Sequence, residues 1–466
     1  MNRFSQKVLS TWAEQGPRFL PFADVATPDL PLSRLMRLAL FQVSVGMASV
    51  LLVGTLNRVM IVELGVPATI VAVMISLPLL AAPFRALIGF KSDTYSSALG
   101  WRRVPYIWKG TLLQFGGLAI MPFGLLVVQS NNVGAPVIIG QLGAGLAFLL
   151  TGAGLHTVQT VGLALATDLV TEESQPRVVG LMYVMLLVGM IASAIIFGAL
   201  LQNFTAGRLI QVIQGAAVMT IILNIIAIWK QEVRDPVKTR DGRDEPTFKE
   251  SWNSFIVGAG AIRRLIAVGV GTMAFSMQDV LLEPYGGQVL GLSVASTTRL
   301  TATLSLGGLL GFLLASRVLG RGGDPFRMSS YGAMIGIPAF SAIILAAPLN
   351  APMLFFVGTF MIGFGAGLLS HGTLTATMNH APEKQRGLAL GAWGAVQASA
   401  AGLAVAFGGI ARDVVNSMSE RNVFGRGLSG PATGYSLVYS VEIVLLVVTL
   451  LSMVPLIRRL PQRITA

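Results

Sequence analysis

Twelve stretches of this chain are apolar for about twenty residues or more, and that repetition restricts the fold more than any other feature. They fall at 35–61, 67–90, 104–129, 136–166, 178–203, 208–229, 264–284, 294–319, 328–347, 351–378, 387–411 and 434–457. Each is long enough to cross ~30 Å of hydrocarbon as a helix. In lipid only helices and closed barrels satisfy every backbone polar group, and the ten-residue alternation of a barrel strand is missing. The expected fold class is an all-α polytopic membrane protein. Charge agrees, since only 12% of residues are charged against roughly 25% in soluble chains. A water-soluble fold would have to bury nearly all of such a chain, which surface-to-volume scaling forbids.

The net charge of +12 reads as topology rather than as nucleic-acid binding. With a cytoplasmic N-terminus, only six of the 33 Lys and Arg (Arg58, Arg208, Arg299, Arg412, Arg421 and Arg426) fall on or toward the outer side. This is the positive-inside bias, and it puts both termini in the cytoplasm. The chain has no cysteine, which excludes disulfides, thiolate metal sites and covalent haem attachment. Residues 1–33 carry no signal-peptide core. Phe4, Val8 and Trp12 share one helical face there, which suits either an interfacial helix on the inner leaflet or a loose tail.

The longest polar stretch, Lys230 to Ser251, divides the chain six plus six. The expected organisation is an N-terminal segment (1–33), a six-helix bundle (34–229), a linker (230–260), a second bundle (261–460) and a tail (461–466). Internal echoes support a repeat: "GFKSD" (Gly89–Asp93) against "GRGGD" (Gly320–Asp324), "LGVPA" (Leu64–Ala68) against "LGLSVA" (Leu290–Ala295), and "DLVTEESQPRVVG" (Asp168–Gly180) against "NHAPEKQRGLALG" (Asn379–Gly391). Gly89 and Asp93, followed by Arg102 and Arg103, resemble the cytoplasmic loop signature of the major facilitator superfamily. The arginines stand nine and ten residues after Asp93, further than in the usual loop.

Longer stretches narrow the resemblance. "GTLNRVMIVELGVPA" (Gly54–Ala68), "PFRALIGFKSD" (Pro83–Asp93), "GWRRVPYIWKGTLLQFGGLAIMPF" (Gly100–Phe123) and "MQDVLLEPYGGQVLGLSV" (Met277–Val294) closely resemble the bacteriochlorophyll-delivery branch of that superfamily, the PucC/LhaA family. The resemblance covers roughly residues 20–458. It implies the major facilitator fold, twelve transmembrane helices in two six-helix pseudo-repeats, in a bacterial inner (intracytoplasmic) membrane. It implies a non-enzymatic assembly factor that hands bacteriochlorophyll to light-harvesting antenna polypeptides. Further implied partners are bacteriochlorophyll synthase, the protein insertion machinery and membrane lipids.

A carrier of that flat macrocycle needs a lipid-accessible groove, small residues beside it and one axial ligand for the central Mg, commonly an imidazole. His156, near Gly152, Gly154 and Gly162, and His371, in a related position of the tenth span, are the candidate ligands; both follow "GAGL". The competing reading is a buried histidine hydrogen-bonded to a neighbour, with the glycines serving helix packing. His380 reads as a surface residue.

The seventh span holds two acids, Asp279 and Glu283, one turn apart and followed by Pro284, Gly286 and Gly287. An unpaired charge there costs several kcal/mol, so partners are expected. Across the first and seventh spans the expected cluster is Asn57, Arg58, Arg85, Gln278, Asp279 and Glu283, with Arg299 a further candidate cation. Pro284 and the glycines are expected to break the helix into an outer re-entrant turn. The cluster reads as a clamp between halves, a docking site for antenna or pigment polar groups, or a proton or solute relay. Glu442, alone in the twelfth span, is left open. No nucleotide-binding, metalloprotease or nucleophile-elbow motif is present. The functional readings are therefore a pigment-binding assembly chaperone, a proton-coupled secondary transporter, and a structural organiser of antenna that binds no pigment.

Overall fold

The computed structural model describes residues 30–80, 85, 88, 91–92, 100–129, 137–171, 174–232, 261–379, 386–421, 423 and 430–457. The helix expected around Phe4, Val8 and Trp12, the loop residues Gly89 and Asp93, His380, linker residues 233–260 and the tail lie outside them.

Among the described residues the chain forms α1 (Leu32–Glu63), α2 (Ala68–Leu80), α3 (Val104–Gln129), α4 (Val137–Asp168), α5 (Gln175–Leu200), α6 (Ala206–Ile228), α7 (Ala261–Gln288), α8 (Val294–Leu319), α9 (Pro325–Ala346), α10 (Pro352–Asn379), α11 (Arg386–Glu420) and α12 (Ala432–Met453). Eleven of these are long and apolar enough to cross a membrane. The twelfth, α2, is described over Ala68–Leu80 and is helical again at Arg85, Ile88, Lys91 and Ser92.

The two halves repeat each other's neighbours. In the first, α3 packs on α4 and α6, and α1 on α5 and α6; in the second, α9 packs on α10 and α12, and α7 on α11 and α12. Between halves α2 meets α11 and α5 meets α8, which are one contact seen twice, since exchanging the halves converts one into the other. The end of α1 meets α7 on the axis of that exchange. This is the major facilitator architecture.

Without a hydrophobic drive between helices in lipid, small residues let backbones approach. A Cβ on Gly363 of α10 would strike the carbonyl of Leu304 in α8, and one on Gly367 would strike that of Gly308. "GGLLGFLLASRVLG" in α8 is thus a packing surface, as its composition suggests. Several buried polar side chains find partners across helices, which matters most in a medium without water. Ser44 (α1) donates to Asn224 (α6) at 2.7 Å, and Asn224 donates to Thr111 (α3) at 2.9 Å.

At the end of the bundle where α1 begins and α12 finishes, called here the terminal end, Glu232 just beyond α6 accepts from the backbone N–H groups of Arg102, Arg103 and Val104 at 2.7 to 3.1 Å. These are orphan donors at the start of α3, where a carboxylate also opposes the helix dipole. Arg103 donates to Asp168 at the end of α4 (2.9 Å) and to Ser92 (2.6 Å). In the second half Asp324 caps its own helix, accepting from Phe326 and Arg327 N–H at 2.8 and 3.0 Å.

Candidate functional site

The expected break in α7 exists but lies earlier than the sequence suggests. The α-helical part from Ala261 ends at Ser276, Met277–Val280 winds as a tighter 3-10 turn, and Leu282–Gln288 is helical again. No re-entrant turn follows Pro284. Proline is tolerated in the first turn of a helix because its missing N–H would be unpaired there anyway. That missing donor frees the carbonyl four residues back, on Val280, and Asn57 of α1 fills the vacancy with an Nδ2–H bond of 3.0 Å. Asn57 sits between two wide π-helical stretches of α1, Val50–Leu56 and Val59–Glu63. Such turns shift side chains off the ordinary helical face and recur at functional sites.

The acids are held by hydrogen bonds, not by arginines. Glu283 is 3% exposed and accepts from Thr301 of α8 at 2.5 Å, with Gly54 of α1 pressed against it. Asp279 accepts from the side chain of Gln278 at 2.5 Å. The expected arginine partners are corrected by the geometry. Arg58 pairs with Glu63 of its own helix and donates to the carbonyl of Leu292 at 3.2 Å. Arg85 donates to Gln159 (2.8 Å) and Thr160 (3.0 Å) of α4. Arg299 lies against Gly198 at the α5–α8 contact. The Arg58 and Arg85 guanidinium groups thus take nearer oxygens than those of Asp279 and Glu283. Among the described residues, no basic side chain lies within ion-pair distance of Asp279 or Glu283.

Glu442 of α12 is the residue that sequence reasoning left aside. It is fully buried and accepts from the backbone N–H of Gln278 at 2.8 Å, a donor that the break in α7 releases. Its partner stands 164 residues away in sequence, and no local spacing signals such a contact.

These contacts seal the far end of the bundle, away from the termini. Asp413 of α11 reaches across to α2, accepting from the N–H and the hydroxyl of Thr69, both at 2.7 Å. Arg412 pairs with Asp413 at 2.7 Å and lies 4.8 Å over the ring of Tyr435. Gln288 receives Arg412 at 2.5 Å and the Tyr435 hydroxyl at 2.6 Å. The hydroxyls of Thr55 and Thr298 meet at 3.3 Å between α1 and α8. Behind the seal, Tyr285 makes edge contacts with Tyr435 and Tyr439 at 5.3 and 5.7 Å.

Toward the terminal end the halves part around a cavity of 280 Å³. The first half of α5 supplies Tyr183, Leu186 and Met190; α8 supplies Ser305, Gly308 and Phe312; α10 and α11 supply Leu374 and Trp393. Gln278 and Asp279 form its roof, and Asp279 is the one charged residue among the described lining. The lining is mostly apolar, with Thr272, Ser276, Ser305, Ser370 and Gln397 as further polar members, and suits an apolar body with a few polar contacts better than a hydrophilic solute.

Neither candidate histidine lines this cavity. His371 is buried, its ring 4.2 Å from that of Phe312, which does line it. His156 lies near Arg85, and the Nδ1 atoms of both histidines are buried without a partner. The glycines around them are filled by protein. A Cβ on Gly152 would meet Pro78, on Gly154 the backbone of Gln114 and Gly110, on Gly162 the ring of Phe41, and on Gly372 the hydroxyl of Ser329. They pack helices together, so the expected small-residue face for a ring is absent at these positions.

The model of the family described as PUCC protein matches residues 55–460. A "Protein PucC" of Rhodovulum sulfidophilum is 64% identical over 89% of this chain and 92% of its own length. The "Bacteriochlorophyll synthase 44.5 kDa chain" of Rhodobacter capsulatus is 25% identical over 89% of this chain and 93% of its own. Among solved structures, an inward-facing bacterial homologue of the human lysosomal transporter Spinster superposes with a TM-score of 0.68 at 15% identity, covering 90% of this chain and 95% of that one.

Proposed function

We propose, from the premise that this chain belongs to the PUCC protein family, that it is a non-enzymatic assembly factor for light-harvesting antenna complexes. It sits in a bacterial inner (intracytoplasmic) membrane with both termini in the cytoplasm, and passes bacteriochlorophyll to antenna polypeptides as they insert. The synthase-named relative supports a pigment as the cargo. Working contacts with bacteriochlorophyll synthase and the insertion machinery follow from such a handover.

The observation that carries the reading is the cavity between the halves, walled mostly by aromatic and aliphatic residues such as Tyr183, Phe312 and Trp393, with a few hydroxyls and amides and one acid, Asp279. Apolar cargo that is taken from and returned to the membrane needs shelter on one side only, and the far end is sealed. Phe312 lines that space and packs 4.2 Å from the His371 ring, which does not line it, so ligation by His371 requires a side-chain rearrangement. The Mg is otherwise met from the roof, through a water on Asp279 or Gln278.

The test is complementation of a phototrophic host that lacks its own copy. The wild-type chain restores the antenna absorption band of the membranes. Gly308→Leu, which sends a side chain into the cavity from a position with only ordinary contacts around it, inserts at the normal level and restores little. Equal restoration by both would remove the cavity from the function.

Asp279 supports the second reading, a proton-coupled transporter, because it is the acid that faces the cavity. Proton-dependent uptake of a solute by proteoliposomes, abolished in Asp279→Asn, would favour that reading over pigment delivery.

A further inference from the structure

A second cavity, of 600 Å³, opens on the outside of the first half between α5 and α6, with Met47 of α1 at its floor. The repeat does not require it. The equivalent helices of the second half, α11 and α12, close on each other, and a Cβ on Gly434 of α12 would meet the carbonyl of Arg412 and the side chain of Asn416. In the first half α5 and α6 diverge, and a Cβ on Gly215 would meet nothing within 4 Å.

The α6 wall runs along one helical face through Arg208, Gln211, Gly215 and Met219. From Arg208 to Met219 the eleven helical rises of about 1.5 Å make it ~16 Å long, about half the ~30 Å thickness of the hydrocarbon core. Arg208 lies at the far end of the bundle, two residues into α6, and is the one charged residue among the described lining. Among the described residues its guanidinium makes no ion pair or side-chain hydrogen bond. The remaining walls are apolar apart from Ser193 and Gln211.

We infer that this groove is a binding site for one anionic phospholipid of the leaflet at the far face, its phosphate on Arg208 and one acyl chain along the α6 face. The length matches a single leaflet, and the charge sits where a headgroup lies. A guanidinium beside a phosphate forms charge-assisted, often bidentate hydrogen bonds, stronger than those an uncharged donor makes.

Native mass spectrometry of the full chain in detergent, titrated with phosphatidylglycerol, phosphatidylcholine or inorganic phosphate, tests this. One phosphatidylglycerol should bind about tenfold more tightly than phosphatidylcholine, and inorganic phosphate should not be retained. Arg208→Gln should reduce the preference to about twofold or less. Gly215→Leu, whose side chain enters open space, should lose the bound lipid while keeping the melting temperature. Equal binding of the two lipids, an unchanged preference in Arg208→Gln, retention of free phosphate, or bacteriochlorophyll displacing the lipid would each overturn the assignment.

Discussion

Replacing Asp413 with alanine should open the far end of the bundle. The carboxylate accepts two hydrogen bonds of 2.7 Å from Thr69 on the opposite half and pairs with Arg412. A hydrogen bond to a charged group contributes about 1.5–3 kcal/mol, and an acid at a helix start adds about 0.3–1 kcal/mol. Asp413 is 21% exposed, so water screens part of that sum and returns some of it to the open state. A net loss of about 2–3 kcal/mol from the sealed state is reasonable, which is roughly 30- to 150-fold in its population ratio. The chain has no cysteine, so a single Thr298→Cys gives a clean reporter. Thr298 is fully buried where α1 meets α8, and the substitution changes little volume. A membrane-impermeant maleimide should label it faster in the Asp413→Ala background by that factor. Thr69→Val, which keeps the backbone N–H bond and loses the hydroxyl, should give an intermediate rate. A labelling rate within about threefold of the parent would refute the latch.

Three further outcomes follow from the same contacts. Glu442→Ala removes the acceptor for the freed N–H of Gln278 and should lower stability in detergent by about 1–3 kcal/mol, while Glu442→Gln keeps an acceptor and should lose less; thermal melts by intrinsic fluorescence compare them. Gly54→Val forces a side chain onto Glu283 and Thr301, and overpacking of this kind costs about 1–3 kcal/mol, so its melting temperature should fall below that of Gly116→Val, where a Cβ meets nothing within 4 Å. Arg103→Ala removes the bonds to Asp168 and Ser92, and limited proteolysis should then cut more readily around residues 92–103, with no gain in cleavage near residues 320–325.

The helices were legible because the bilayer imposes a length and a composition that no packing detail can disguise. The break in the seventh span was legible too, from Pro284, but its position was not. A proline disturbs the turn before it, through the carbonyl four residues back, so the irregular stretch falls at Met277–Val280 rather than beyond the Gly pair. The acids at 279 and 283 were readable as buried residues in need of partners; that Asp279 takes its own neighbour Gln278, and Glu283 the hydroxyl of Thr301 on the next helix, was not. Arg58 was the natural candidate by topology, yet Glu63 lies one turn along the same helix and reaches it first. Glycines beside His156 and His371 look the same in sequence whether they face a ring or another helix. Only the positions of Pro78, Gln114, Phe41 and Ser329 decide that they face helices.

The most direct measurement is the near-infrared absorption of the full-length protein, purified from pigment-containing membranes and freed of antenna polypeptides. Bacteriochlorophyll should remain, near one per chain, with the Gly308→Leu protein retaining far less and His156→Ala unchanged, since His156 does not line the cavity between the halves. A colourless wild-type preparation, or equal colour in the cavity-filled variant, would contradict a pigment sheltered between the two halves.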